Sequence, residues 1–467
     1  MAEELLPPLS PLSQSFNTPI MPFTIIVVLE FEKPFNKSQI IEILRDLLIP
    51  ISPRFSCIIF TDNDGVKRWK KVDLTIEDHI IIPTFPSGSS SLQDCNDKHF
   101  FEYLSQISMD QLPQNQPPWE VHAIMYPTSN ATMSLVFRLN HALGDGYSLM
   151  STLFSSFKRV DDPLLPITFP VASSSSPSSY GRMNSLSKVS SFISRCVNTV
   201  SDSIMTLLQG MFLEDDKTVI RSVTPRLEFV PRTILSVTFD LDEIRQVKNI
   251  VGGTVNDVII GLISFTIRLY MQKLESVSGN KRVSALVMMN MRMLKGYQNV
   301  EDLSKANEWG NQFGLLIISL PLFSDSKNVS PLEFIIQAKK EMRKKMNLAS
   351  IHFSAILMNI LKNIMGSKAV AGLMYSTGKN TSLGISNIIG PMQKVALADN
   401  PLNGFYFTVG GVPQSLNFTV MSYMGKLRVI TISQKGFIDS ELLISCMKEA
   451  YGNILEETHK KRAAESS

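Results

Sequence analysis

The sequence predicts an α+β fold of two halves, each a mixed β-sheet flanked by helices. Three observations carry that prediction. The 467 residues exceed what a single hydrophobic core usually covers. Strand-like and helix-like segments are interleaved along the chain with no fixed period, so a repeat architecture does not fit. A Ser/Pro-rich stretch, "VASSSSPSSYGRMNS", parts the two sets of segments as a linker. With 44% hydrophobic and 19% charged residues, the chain is apolar enough for packed cores and not for intrinsic disorder.

The elements follow in order. "FTIIVVLEF" at 23–31 reads as a strand, "NKSQIIEILRDLL" as a helix and "RFSCIIF" at 54–60 as a second strand, so the chain opens with a strand–helix–strand unit. "WEVHAIMY" and "TMSLVFRLNH" form the arms of a hairpin around "PTSNA". The helix "YSLMSTLFSSFKRV" comes next, and the first half closes near residue 165. Beyond the linker, Val189, Phe192, Ile193, Cys196, Val197 and Val200 recur at helical spacing, opposite Ser194, Arg195 and Asn198. This amphipathic segment, running to about residue 213, is too polar on one face to span a bilayer. It either packs on the protein's own surface or lies in a membrane interface.

The second half begins with the strand "TILSVTFD", then a helix, a Gly-Gly break at 252–253, and a long apolar helix with Thr254 as its N-cap. Strands in "RVSALVMMNMRM" and "GLLIISLPL" precede a helix around 331–348 and a Met-rich stretch over 354–374. Two late strands, "LNFTVMSYM" and "KLRVITISQ", turn at Gly425, and "DSELLISCMKEAYGNILEE" closes the chain as a helix.

Composition removes several function classes. The net charge is +3 and no Lys/Arg block is long enough to suggest nucleic acid. Cys57, Cys95, Cys196 and Cys446 lie far apart without metal-ligand spacing, which fits a reducing compartment. Five glycosylation sequons occur, but the acidic N-terminal stretch lacks a signal-peptide apolar core, so they are expected to be unused. No apolar run reaches the ~18 residues of a transmembrane helix, and the expectation is an intracellular protein. His79, His99, His122, His352 and His459 form no metal-ligand pair, "VGGTVND" lacks the spacing of a phosphate loop, and G-x-S-x-G is absent. No metal and no cofactor is expected.

The chemistry concentrates in "FRLNHALGDGYSLM" at 137–150. Side chains alternate along a strand, so Met133, Leu135, Phe137, Leu139 and His141 share one face, while Ser134, Arg138 and Asn140 point the other way. An imidazole at the mouth of an apolar face can serve as a general base near neutral pH. Gly144 and Gly146 would let the backbone turn sharply and approach a ligand, and Asp145 would cap the next helix or pair with a buried Arg. A partly buried histidine bonded to backbone beside an Asp-Gly turn fits the same spacing, so these residues alone do not make an enzyme.

The stretch resembles the H-H-x-x-x-D-G motif of the CoA-dependent acyltransferase superfamily. Together with "PLSPLSQSF" at 8–16, "GGTVNDVIIG" at 252–261, "NEWGNQFG" at 307–314 and "ISNIIGP" at 385–391, the chain resembles the plant wax ester synthase/diacylglycerol acyltransferases over nearly its whole length. The first motif histidine is Asn140 here, whereas the second, expected to act as base, is kept as His141. "DFGWG", typical of plant acyltransferases that decorate soluble metabolites, is absent.

The resemblance implies two chloramphenicol-acetyltransferase-like halves, residues 1–165 and 231–467, joined by a linker and amphipathic helix at 166–230. An active-site tunnel would run between the halves, and the second would carry the family's C-terminal domain. It implies direct acyl transfer from a long-chain acyl-CoA, as co-substrate, to a fatty alcohol or diacylglycerol, with His141 as base. Asp145 would pair with Arg292 across the halves, Gly146 would shape the loop, and Asn256, Ser386 and Asn387 are the oxyanion or substrate-binding candidates. Apolar substrates imply a membrane surface as partner, at the cytosolic face of the endoplasmic reticulum or also the plasma membrane. Two other readings stay open: a non-catalytic acyl-binding relative, with Asn140 as its mark, and an acyltransferase for a soluble alcohol or amine.

Overall fold

The structure is a computed structural model that describes residues 5–85, 92–169, 210, 212–274, 281–290, 311, 313–323, 329–345, 360 and 364–465. The N-terminal part holds β1 (Leu5–Pro8), α1 (Pro11–Phe16), β2 (Thr24–Phe31), α2 (Lys37–Ile43), β3 (Cys57–Thr61), β4 (Lys67–Lys71), β5 (Ile80–Ile81) and α3 (Leu92–Ile107). The hairpin β6 (Trp119–Ile124) and β7 (Met133–Asn140) leads into α4 (Gly146–Ser156) and β8 (Phe157–Arg159). After residue 230 come β9 (Arg232–Asp240), α5 (Leu241–Val251), α6 (Val255–Lys273), β10 (Ser284–Asn290), β11 (Phe313–Ser319), α7 (Pro331–Lys345) and α8 (Ser367–Asn380). The chain ends with β12 (Leu383–Ile389), β13 (Val395–Leu397), β14 (Asn400–Gly410), β15 (Leu416–Tyr423), β16 (Lys426–Gln434) and α9 (Ser440–Glu465).

Two mixed sheets form two lobes, as the α+β reading requires. One has the order β5-β6-β7-β2-β14-β13-β8, the other β11-β10-β12-β15-β16-β9, and a small third sheet joins β1-β4-β3. The opening strand–helix–strand order holds in sequence, but its second strand, β3, belongs to the small sheet and not beside β2. The helix after His141 is shorter than its periodicity suggests: "FKR" leaves it at Phe157 to pair with β13. Two strands from late in the chain, β13 and β14, complete the first sheet, β14 lying antiparallel to β2.

The alternation along β7 sorts its side chains onto two cores. Met133, Leu135, Phe137 and Leu139 join Ile40 of α2 and Leu153 of α4 in one core. Val136, on the other face, packs with Phe100, Leu104 and Ile107 of α3 and with Ile430 and Ile432 of the second sheet. Helix α3 thus fills the space between the lobes. The second lobe packs α5, α6, α7 and α9 on its sheet. Thr254 caps α6 in a capping box with Asp257, and α5 stops at Gly252, whose left-handed φ of 58° suits the missing Cβ.

Helix α6 is apolar over most of its circumference because neighbours bury it on nearly every face. Its bent pairing with α5 is apolar enough to resemble a broken span, yet fourteen α6 residues are buried inside the lobe. No single helix among the described residues is long and apolar enough to cross a membrane. Gly261 marks the closest approach: a Cβ there would lie 2.6 Å from Ile335 Cα of α7. Gly261→Ala must push the two helices apart, and its gain in helix propensity of about 1 kcal/mol does not offset overpacking of about 1–3 kcal/mol. The expected result is a lower midpoint in urea unfolding.

Candidate active site

His141 follows the last residue of β7 and is 7% exposed. Its position is fixed through backbone. The His141 N–H donates to the Phe23 carbonyl at 3.0 Å, and its own carbonyl accepts from Asn311 Nδ2 at 2.9 Å. Asn311 also donates to Ser13 Oγ at 2.9 Å, so one buried amide ties β7, α1 and the approach to β11 together. Asn140 has a definite task as well. Its Oδ1 accepts from the Ala142 N–H at 2.9 Å and its carbonyl from Leu143 N–H at 3.0 Å, closing the turn that aims the histidine. Arg54 Nη1 donates to the Leu143 carbonyl of the same turn at 3.2 Å.

Asp145 is buried and caps α4, its Oδ1 accepting from the Ser148 N–H at 2.8 Å. Gly146 is needed for space. Its backbone does not adopt the left-handed conformation, but a Cβ would come within 2.9 Å of Ile388 Cδ1 on β12. The glycine's part is thus to let the two lobes approach, where sequence reasoning expected a sharp turn.

The imidazole sits among aromatic rings. Phe16 lies 4.3 Å away, centroid to centroid and tilted by 33°, with Phe313 and Phe23 beyond 6 Å. Burial pushes the His141 pKa below its ordinary value of 6.5, and the Asp145 carboxylate opposes that shift. His141 is therefore neutral at neutral pH, with Nδ1 free of any hydrogen bond among the described residues. A neutral buried imidazole can take a proton.

A cavity of about 100 Å³ opens beside it, lined by His141, Asp145 and Gly146 from the first lobe and by Ser386 and Asn387 of β12 from the second. Four methionines, Met21, Met288, Met289 and Met374, supply much of its apolar wall. Asn256, at the start of α6, stands behind: Asn387 Nδ2 donates to Asn256 Oδ1 at 2.6 Å. The structure thus gathers His141, Asp145, Gly146, Ser386, Asn387 and Asn256 at one place between the lobes. Arg292, Trp309 and Gly310 lie outside the described residues, as does almost all of the amphipathic segment at 189–213. The Met-rich stretch over 354–374 is described at 360 and 364–374, and Met374 at its end reaches the cavity.

Sequence reasoning missed Phe16, Gln414 and Asn417 as cavity residues. "PLSPLSQSF" marked the Phe16 region as a motif, but no spacing connects it to His141. Among the described residues no cluster of three or more His, Cys, Asp or Glu could hold a metal ion.

Residues 89–259 match the wax ester synthase/diacylglycerol acyltransferase catalytic domain, and residues 309–455 match the WS/DGAT C-terminal domain. Wax ester synthase/diacylglycerol acyltransferase 11 of Arabidopsis thaliana is 28% identical over 438 residues, covering 90% of this chain and 88% of that protein. Wax ester synthase/diacylglycerol acyltransferase 5 of the same plant is also 28% identical, over 97% and 94% of the two chains. Among solved structures, the wax ester synthase/diacylglycerol acyltransferase from Marinobacter aquaeolei VT8 superposes with a TM-score of 0.59 at 15% identity, covering 97% of this chain and 100% of that one. The first condensation domain of the calcium-dependent antibiotic synthetase, in complex with a substrate analogue, gives 0.56 at 12% identity over 93% and 91%. These two likenesses speak for the two-lobed α+β fold alone. With both domains of one family matched in order over more than half of its length, the chain belongs to the wax ester synthase/diacylglycerol acyltransferase family and is an acyltransferase.

Proposed function

We propose that the protein transfers a long acyl chain from acyl-CoA to a fatty alcohol, to diacylglycerol or to both, with His141 as general base. The observation that carries this reading is an imidazole held neutral by burial at an apolar cavity whose opposite wall brings Ser386 and Asn387 from the other lobe. His141 takes the hydroxyl proton as the alcohol oxygen attacks the thioester carbonyl. The resulting oxyanion collapses, the carbon–sulfur bond breaks, and the thiolate leaves with the proton from the imidazolium. Asn387, on the cavity wall, is assigned to the oxyanion, with Asn256 behind it holding its amide: the bond between them uses only one of the two Asn387 N–H donors. Asp145 supports the imidazole by its charge and caps α4, with Arg292 as its expected ion-pair partner. No cofactor enters this reading; acyl-CoA is co-substrate.

Fatty alcohols and diacylglycerol reside in membranes, so the reading puts the protein at a bilayer surface, on the cytosolic face of the endoplasmic reticulum. Phe212, Leu213, Ile364 and Met365 are exposed apolar side chains available for that contact. The turn closed by Asn140 favours catalysis over a decayed binding protein, because the residue that replaces the first motif histidine still holds the His141 loop.

The direct test incubates purified protein with radiolabelled palmitoyl-CoA and offers hexadecanol and diacylglycerol in parallel. Labelled wax ester or triacylglycerol is expected; label in neither product overturns the reading. The pH profile adds a second check. Protonation removes the base, so ester formation must fall on the acid side, and because the folded pKa is depressed, the midpoint lies below about 6.5. Asp145→Asn keeps the cap but removes the charge that stabilises the imidazolium, and moves that midpoint further down. An acid limb centred above pH 7 would contradict the assignment.

A further inference from the structure

The catalytic cavity has a larger neighbour of about 480 Å³ on the other side of the strand that carries His141. Met21, Phe23, Ile25 and His141 face the smaller, apolar cavity, whereas Pro22, Thr24 and Asn140 face the larger one. The division follows from extended backbone: Thr24 pairs with Asn140 in the ladder, and alternate side chains leave by opposite faces. The larger cavity is the more polar of the two, with Lys67, Arg226, Gln111, Gln114 and Asn17 on its wall. Among the described lining residues, Phe16 is the one that both cavities share. Its ring is 1% exposed and covers the His141 imidazole at 4.3 Å.

We propose that the Phe16 ring is a removable partition between the polar and the apolar chamber, and so a specificity-determining residue for the acyl transfer. The inference rests on the reading of His141 as base. The apolar chamber's 100 Å³ is well under the ~300 Å³ at which ligand sites begin. A co-substrate with a long apolar chain and a polar arm exceeds that space, so it must pass an opening of the cavity or a wall that gives. The methionines can repack around a chain. The group between chain and arm is Phe16, held at the end of α1 by the Ser13–Asn311 bond. With the ring in place, water from the polar chamber is kept off the imidazole. With the ring aside, the two chambers meet at His141.

The ring therefore sets the balance between alcoholysis and hydrolysis. In hydrolysis, water replaces the alcohol: its oxygen attacks the thioester carbonyl, the carbon–sulfur bond breaks, and free fatty acid and CoA thiol are the products. The test compares wild type, Phe16→Ala and Phe16→Leu in two measurements. One is the ratio of free fatty acid to ester from radiolabelled palmitoyl-CoA with limiting hexadecanol. The other, independent of activity, is the rate of His141 carbethoxylation by diethyl pyrocarbonate, mapped by peptide mass. Phe16→Ala is expected to raise both by about tenfold, and Phe16→Leu, which keeps an apolar filler, to restore most of the wild-type values. A melting curve beside each sample separates loss of the partition from loss of the fold, and Phe16→Val, which also removes most of the ring's bulk and is expected to raise both readouts, carries the comparison if the alanine variant does not fold. Unchanged carbethoxylation in Phe16→Ala, or in Phe16→Val in its place, overturns the partition. A wild type that makes no ester with any acceptor refutes the acyl-transfer reading instead, while the modification rates still decide the role of Phe16.

Discussion

With His141 as the proposed base, His141→Ala is expected to lower ester formation by about 100- to 10,000-fold, the span over which a positioned general base contributes. The size follows from the site's construction. The imidazole is buried, kept neutral, and aimed by a turn that Asn140, Arg54 and Asn311 secure through backbone atoms. Alanine leaves those bonds in place, because none involves the ring, so the variant is expected to fold and to bind acyl-CoA with little change in KM. The loss falls on kcat, and so does its pH dependence: the acid limb below about 6.5 disappears with the base. A variant that keeps more than a tenth of the activity with the acid limb intact would move the proton transfer to another residue.

Arg428→Ala is expected to destabilise the protein by about 3–5 kcal/mol. Arg428 of β16 donates through Nη1 to Glu30 Oε1 of β2 at 2.8 Å, with side chains only 14% and 5% exposed. The guanidinium also stacks 4.7 Å over the Tyr406 ring of β14, so one residue of the second sheet engages two strands of the first. Gly404 belongs to the same device: a Cβ there would lie 2.4 Å from Glu30 Oε2, and its absence makes room for the carboxylate. Removing the arginine leaves Glu30 buried and charged without a partner, which costs more than losing the bond itself. The double replacement Glu30→Met with Arg428→Met is therefore expected to be milder than Arg428→Ala alone, as denaturant midpoints would show. Against a total stability of about 5–15 kcal/mol, the single loss is large.

Most of the fold was legible because hydrophobic period is a local signal. The hairpin β6–β7, the Gly-Gly break between α5 and α6, the Thr254 cap and the late strands all follow from it. Strand β14 was not legible. "NPLNGFYFTVG" has a proline in second place and two glycines, which weaken a strand signal, yet Gly404 is there for the Glu30 carboxylate and Gly410 for close approach to the Ser108 carbonyl. Both reasons lie far away in sequence. Sheet membership fails in the same way, since nothing in "RFSCIIF" says that it pairs with β4 and not with β2. At the site, strand parity alone separates His141 from Asn140 onto different cavities. The Asn387–Asn256 bond and the Phe16 ring join segments more than a hundred residues apart, and no spacing rule reaches that far.

The placement of β14 also decides when the first lobe can exist at all during synthesis. Its partner β2 is finished by residue 31, but the strand that covers the β2 edge ends at residue 410. At roughly 5–20 residues per second, the ribosome leaves that apolar edge unpaired for on the order of tens of seconds. An open edge of that kind recruits other chains. The nascent protein is thus a natural client for a holdase, and prematurely terminated chains are expected to aggregate and not to accumulate as a folded half.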